Sequence, residues 1–70
     1  MDIHLVVRNL KFARGDQSVV LCAFARRSRA EDTAAQHDAN WTTESFRQAM
    51  NVLGIEAFSH EVVTIDVVED

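Results

Sequence analysis

Residues 42–54 have the sequence TTESFRQAMNVLG, and this stretch predicts the best-defined element of the chain. Thr42 is a good N-cap, and an acidic residue, Glu44, follows in the first turn, where the helix dipole favours it. The apolar residues recur at the i, i+3, i+4 and i+7 spacing of one helix face: Phe46, Ala49, Met50 and Leu53. Gly54 then stands where a left-handed C-cap is expected. The pattern predicts an amphipathic helix from Thr43 to Leu53.

The first strand is predicted from alternating apolar residues near the N-terminus. Odd positions are apolar at its start, as is typical of a strand with one buried face: Ile3, Leu5 and Val7. The apolar phase then changes to Leu10 and Phe12. Such a change in a period-2 pattern predicts a bulge or a twist near Arg8-Asn9.

A hairpin is predicted to join this strand to a second one. Gly15-Asp16 fits a two-residue turn with glycine at the first central position. The second strand is predicted from Gln17 to Arg26, and its centre is apolar on both faces. Such a strand is expected where a helix covers one face and another layer, such as a dimer partner, covers the other.

Two further elements are predicted around the amphipathic helix. Ser28-Arg29-Ala30-Glu31 matches the S-x-x-E capping box, but only alanines form the apolar stripe behind it. We therefore expect residues 28–37 to be a weak helix or a helical loop. A last strand is predicted from His60 to Val68, because Val63, Ile65 and Val67 alternate with more polar residues.

These elements predict one α+β domain over residues 1–70, with a three-stranded, mostly antiparallel sheet packed on one amphipathic helix. The order is β-β-α-α-β, with the first helix weak. The expected core combines the apolar strand and helix positions: Ile3, Leu5, Val7, Leu21, Phe24, Phe46, Met50, Leu53, Ile55, Val63, Ile65 and Val67.

The size of the chain predicts self-association. A 70-residue domain buries only about 60% of the surface that its unfolded chain exposes, and such a core rarely supplies more than roughly 3–5 kcal/mol. Small domains therefore usually need a disulfide, a metal or a partner. Cys22 is the only cysteine, so no disulfide forms within the chain. We expect a homodimer.

The charges are divided between the two halves of the sequence. Residues 1–29 carry six basic and two acidic side chains, a net charge of +4. Residues 30–70 carry one basic and nine acidic side chains, a net charge of −8. A division of this kind favours pairing with a charged partner or with a second copy.

No pattern in the sequence predicts a catalytic site, a metal site or a cofactor. The three histidines lack the spacing of paired metal ligands and are expected to be isolated on the surface: His4, His37 and His60. Cys22 lies in an apolar run, which favours a buried, unreactive thiol. Glu61 and Asp66 face opposite sides of a regular strand, so they cannot act as a pair. Neither glycine belongs to a phosphate-binding motif.

The leading hypothesis is a non-enzymatic regulator or inhibitor that binds another protein. Trp41 follows a polar stretch, and tryptophan is favoured as an interface anchor. Three acidic residues that precede it in the sequence, Asp38, Glu31 and Asp32, are the expected companions of Trp41 at the protein-binding site. The size and acidity of the chain resemble those of small inhibitors encoded by phages or mobile elements.

Two alternatives stay open on the sequence. The first is a nucleic-acid-binding module that contacts phosphates through an arginine-rich N-terminal hairpin, with these residues: Arg8, Arg14, Arg26, Arg27 and Arg29. The second is a small oligomeric enzyme with a site at the subunit interface. No apolar run approaches the roughly 20 residues that span a bilayer, so we expect a cytoplasmic protein without membrane contact.

Overall fold

The computed structural model describes residues 1–40 and 44–68 and consists of one antiparallel sheet and two helices. The elements follow in the order β1 (Asp2–Phe12), β2 (Gly15–Phe24), α1 (Arg27–Asn40), α2 (Glu44–Leu53) and β3 (Ile55–Asp66). β1 lies in the middle of the sheet, between β2 and β3. The predicted α+β class with three antiparallel strands is confirmed.

The hairpin between β1 and β2 turns two residues earlier than predicted. Phe12 pairs with Gly15, so the two loop residues are Ala13 and Arg14. Gly15 is the first residue of β2, with a φ of 144° that side chains rarely allow. The prediction that Gly15 and Asp16 occupy the centre of the turn is therefore wrong. β2 also ends at Phe24, before the predicted end at Arg26.

The predicted bulge lies in β2 and not in β1. Val6 pairs with Cys22 and Val7 pairs with Val20, so Leu21 is the extra residue. β1 pairs with β3 without interruption from Asp2 to Lys11, and its side chains alternate regularly over that length. The change of apolar phase along β1 therefore has another meaning: β1 contributes apolar side chains to both faces of the sheet.

The helix that packs on the sheet is α1, which we expected to be weak. It extends from Arg27 to Asn40 and buries Ala30 and Ala34 against Val6 of the central strand. Four partly buried residues of the sheet pack around this cluster: Leu21, Cys22, Phe24 and Val62. The alanine stripe is effective because small side chains let the helix backbone approach the sheet closely.

α2 forms where it was predicted but does not cover the sheet. It ends at Leu53, and Gly54 follows with a φ of 75°, the left-handed conformation expected of a C-cap. Among the described residues, the sheet strand that α2 contacts is β3. Leu53 is 65% exposed, so the prediction that this helix packs over the core is wrong.

β3 begins at Ile55, five residues before the predicted start at His60, and ends at Asp66. α1 packs on the face of the sheet that carries the even-numbered residues of β3, such as Val62. Val63 and Ile65, expected in the core, point to the opposite face.

The predicted core is only partly found in the structure. Val7 and Ile55 are buried. Six further members are partly buried: Ile3, Leu5, Leu21, Phe24, Met50 and Val67. The prediction is wrong for the four exposed members, Phe46, Leu53, Val63 and Ile65. Val6, Ala30 and Ala34 form the buried cluster, and none of them was predicted.

Candidate interaction surface

One face of the sheet, called here the open face, carries a continuous set of apolar side chains. Its centre is the odd-numbered row of β1, Ile3, Leu5 and Val7. Cross-strand pairing places these residues beside partners on β3 and β2 that point the same way: Ile65, Val63, Ala23 and Val20. The open face is these seven residues.

No described helix covers the open face. α1 lies on the opposite side of the sheet, and α2 contacts β3 alone among the strands. Val20 is 56% exposed and Ile65 is 42% exposed, while Val7 is buried. A contiguous exposed apolar surface on a small protein marks a site of association.

A chain of polar side chains borders the open face on the side of the hairpin. The Asn9 amide donates to a carboxylate oxygen of Glu61 at 3.0 Å, and the Ser18 hydroxyl donates to the Asn9 carbonyl at 2.7 Å. These two hydrogen bonds cross all three strands on the same face. The apolar surface therefore ends at a polar rim, as is usual for protein interfaces.

The opposite face carries the main polar cluster of the described residues, centred on His60. His60 Nδ1 lies 2.5 Å from a carboxylate oxygen of Asp38, near the end of α1. Arg8 Nε donates to His60 Nε2 at 3.1 Å. The His60 side chain is fully buried, with the His37 ring stacked at 5.4 Å and the Phe58 ring edge-on at 6.0 Å. The expectation of isolated surface histidines is wrong for His60.

This geometry favours a structural role for His60. Arg8 can only donate, so Nε2 of His60 accepts from it, while Nδ1 lies against the Asp38 carboxylate. The side chain is fully buried, so neither ring nitrogen is open to solvent. The cluster ties α1 to β1 and β3. Sequence reasoning missed it because Asp38 and Arg8 are 22 and 52 residues from His60. The strand register places Arg8 beside His60, and the packing of α1 on the sheet brings Asp38 to it.

Three of the four residues predicted to bind protein, Glu31, Asp32 and Asp38, lie on α1. Trp41 lies outside the described residues. Asp38 is committed to His60, and Glu31 accepts a hydrogen bond from Arg27 at 2.9 Å. Asp32 is exposed on α1. Of the three acids, only Asp32 lacks such a hydrogen bond.

The predicted arginines are likewise separated. Arg8 belongs to the His60 cluster, and Arg14 lies in the hairpin loop at the far end of β2. Arg26 precedes α1, whereas Arg27 and Arg29 belong to its first turn and not to the hairpin. The length of β2 separates Arg14 from the last three by roughly 30 Å. The structure does not bring the five residues together.

Comparisons with family models, with curated proteins and with solved structures find no match to this chain. In residues 1–40 and 44–68, no group of three or more histidine, cysteine or acidic side chains is arranged to hold a metal ion. Neither described helix is long and apolar enough to cross a membrane.

Proposed function

We propose that this chain is a non-enzymatic, homodimeric protein that binds another protein as a regulator or inhibitor, and that its two copies meet through the open face. The observation that carries the proposal is the apolar open face, in which Val20, Val63 and Ile65 are exposed beside the β1 row of Ile3, Leu5 and Val7. The regulatory role is inferred from the small size and acidity of the chain together with this binding surface.

The shape of the chain supports a second layer on the open face. Its radius of gyration is 14.0 Å, and its extents are 45 × 25 × 11 Å. A compact domain of this length has a radius of gyration of roughly 11 Å. The chain is therefore a thin slab. A second sheet stacked at the usual distance of about 10 Å covers the apolar side chains of both copies.

The open face also suits a two-fold interface. Such an interface brings the same patch of both copies together, so the patch must be complementary to itself in shape and charge. The seven residues of the open face carry no charge, and the Glu61 carboxylate at their border is already hydrogen-bonded to Asn9. Two copies therefore meet without placing like charges opposite each other in the centre.

Size-exclusion chromatography with light scattering tests the proposal. We expect the wild-type chain to have about twice its monomer mass of 7.9 kDa. Ile65→Asp places a charge in the proposed interface and is expected to give a folded monomer, because the residue is 42% exposed in the single chain. Val52→Asp is the control: Val52 is 86% exposed on α2, away from the sheet, and the dimer should persist.

Circular dichroism of each variant separates loss of association from loss of fold. A wild-type monomer, or an Ile65→Asp variant that remains a dimer, would overturn the proposed interface. The ultraviolet absorption spectrum of the same peak shows whether nucleic acid is bound, and a bound nucleic acid would favour the arginine hypothesis instead.

A further inference from the structure

The outer edge of β2 is a second surface of the sheet. β2 pairs with β1 on one side only, because it is the first strand in the order β2-β1-β3. Within the described parts of the chain, no element pairs with its other side, and α1 packs mainly over β1 and β3. The backbone donors and acceptors along this edge are available to an additional strand.

The two edges of the sheet differ in chemistry. β3 carries the charged residues Glu56, Glu61 and Asp66, and charges on an edge strand hinder pairing with another chain. Residues 17–24 of β2 contain no charged residue and no proline, although Asp16 lies near the start of the strand. Val19 and Val20 are 46% and 56% exposed. The bulge at Leu21 interrupts the strand, and a bulge hinders pairing at an edge. The regular stretch before it, residues 17–20, carries neither a charge nor a bulge and is the part of this edge that is open to strand pairing.

Basic side chains stand at both ends of this edge. Arg14 lies in the hairpin loop before β2, and Arg26 follows its last residue, Phe24. Both arginines are exposed, and roughly 30 Å of strand separates them. Asp16 offsets one positive charge near the hairpin, whereas Arg27 and Arg29 lie close to Arg26 in α1. The edge therefore has an uncharged middle, residues 17–24, with an arginine beyond each end.

We propose that the outer edge of β2 binds an extended, uncharged segment of a target protein that has acidic residues at both ends, by adding it to the sheet as a fourth strand. Backbone hydrogen bonds supply the affinity in this mode of recognition, and the flanking charges set the choice of partner. The inference rests on the proposed protein-binding function and names the kind of target segment.

A second copy of β2 fits this edge less well than an acidic segment does. Antiparallel pairing of two β2 strands about a two-fold axis brings Arg14 of one copy towards Arg26 and Arg27 of the other. Like charges would then meet at both ends of the new pair. Acidic residues in the added segment would instead meet opposite charges at both ends.

Fluorescence anisotropy with synthetic peptides tests the proposal. The probe is a labelled peptide of alternating valine and threonine with two aspartates at each end. We expect it to bind at least about tenfold more tightly than the same peptide with lysine ends, and than an aspartate peptide N-methylated at alternate amides. N-methylation removes backbone donors but keeps the charges, so it reports on strand addition itself.

Charge reversal of the two arginines tests whether they select the acidic ends of the peptide. The double variant Arg14→Glu/Arg26→Glu is expected to prefer the lysine peptide over the aspartate peptide. Arg47→Glu is the control, because Arg47 is exposed on α2, and it should keep the wild-type preference. Equal binding of all three peptides to the wild-type chain, or no binding, would overturn the proposal.

Hydrogen exchange of the β2 amides distinguishes this inference from the proposed dimer. The aspartate peptide should slow exchange at the outward-facing amides of β2, whether the protein is a dimer or a monomer. Protection of those amides that rises with protein concentration and without peptide would show a second copy on this edge, and would overturn the inference. A monomer that still binds the aspartate peptide would overturn the open-face dimer alone.

Discussion

At His60, a fully buried imidazole is held by one acid and one base from different elements. Burial of a polar ring is unfavourable unless its nitrogens are hydrogen-bonded, and Asp38 and Arg8 meet that need on opposite sides of the ring. Asp38 is half-buried and near the end of α1, whereas Arg8 lies on the central strand. The hydrogen bonds among these three residues therefore add directional contacts to the alanine packing that holds α1 on the sheet.

Replacement of Asp38 tests this role. Asp38→Ala leaves the buried Nδ1 of His60 without its acceptor, and we expect a loss of about 1–3 kcal/mol in the free energy of unfolding. Urea denaturation followed by circular dichroism measures it. Asp32→Ala removes an exposed acid from the same helix and should change the stability by less than about 0.5 kcal/mol. Equal effects of the two variants would mean that the His60 cluster does not hold α1.

At the scale of elements, the two helices show which sequence signals are reliable. The end of α2 was predicted correctly, because the helical apolar stripe and Gly54 agree locally; the predicted N-cap, Thr42, lies outside the described residues. Where a helix packs depends on tertiary contacts that such signals do not report. The apolar stripe of α2 was therefore wrongly assigned to the core. The alanines of α1 were not expected to pack on the sheet, although Ala30 and Ala34 form the buried cluster with Val6.

The close approach of α1 to the sheet gives a second prediction. Ala34→Leu adds three carbon atoms at a site that is only 7% exposed, and the overpacking should lower the stability by about 1–3 kcal/mol. Ala35→Leu makes the same change at an exposed neighbour on α1 and should be nearly neutral, because leucine is also a good helix former. Thermal unfolding of both variants gives the comparison. A neutral Ala34→Leu would show that the helix does not lie against Val6.

At the scale of the whole molecule, the sequence predicted the class of fold correctly but assigned the wrong face of the sheet to the core. Both faces of β1 carry apolar residues, so alternation alone could not show which face α1 covers. The odd-numbered row, Ile3, Leu5 and Val7, is uninterrupted in sequence, and it was taken for the core. The strand register and the alanine contacts decide the question, and both depend on residues that are far apart in sequence.

The thin shape leads to a prediction for the assembly. If the two copies complete each other's core, folding and association are linked, and the midpoint of thermal unfolding should rise with protein concentration. Calorimetry over a hundredfold range of concentration measures the change. Ile65→Asp should unfold at a lower temperature that is independent of concentration, whereas Val52→Asp should follow the wild type. A wild-type midpoint that does not change with concentration would contradict a dimer that dissociates on unfolding.

The bulge at Leu21 also determines which side chains β2 presents to each face of the sheet. Val20 and Cys22 point to opposite faces although two positions separate them, because Leu21 is unpaired between them. Deletion of Leu21 would therefore leave a regular strand with the other side chains of β2 on their present faces. It would keep the pairing partners of β1 and remove the contact of Leu21 with the cluster under α1.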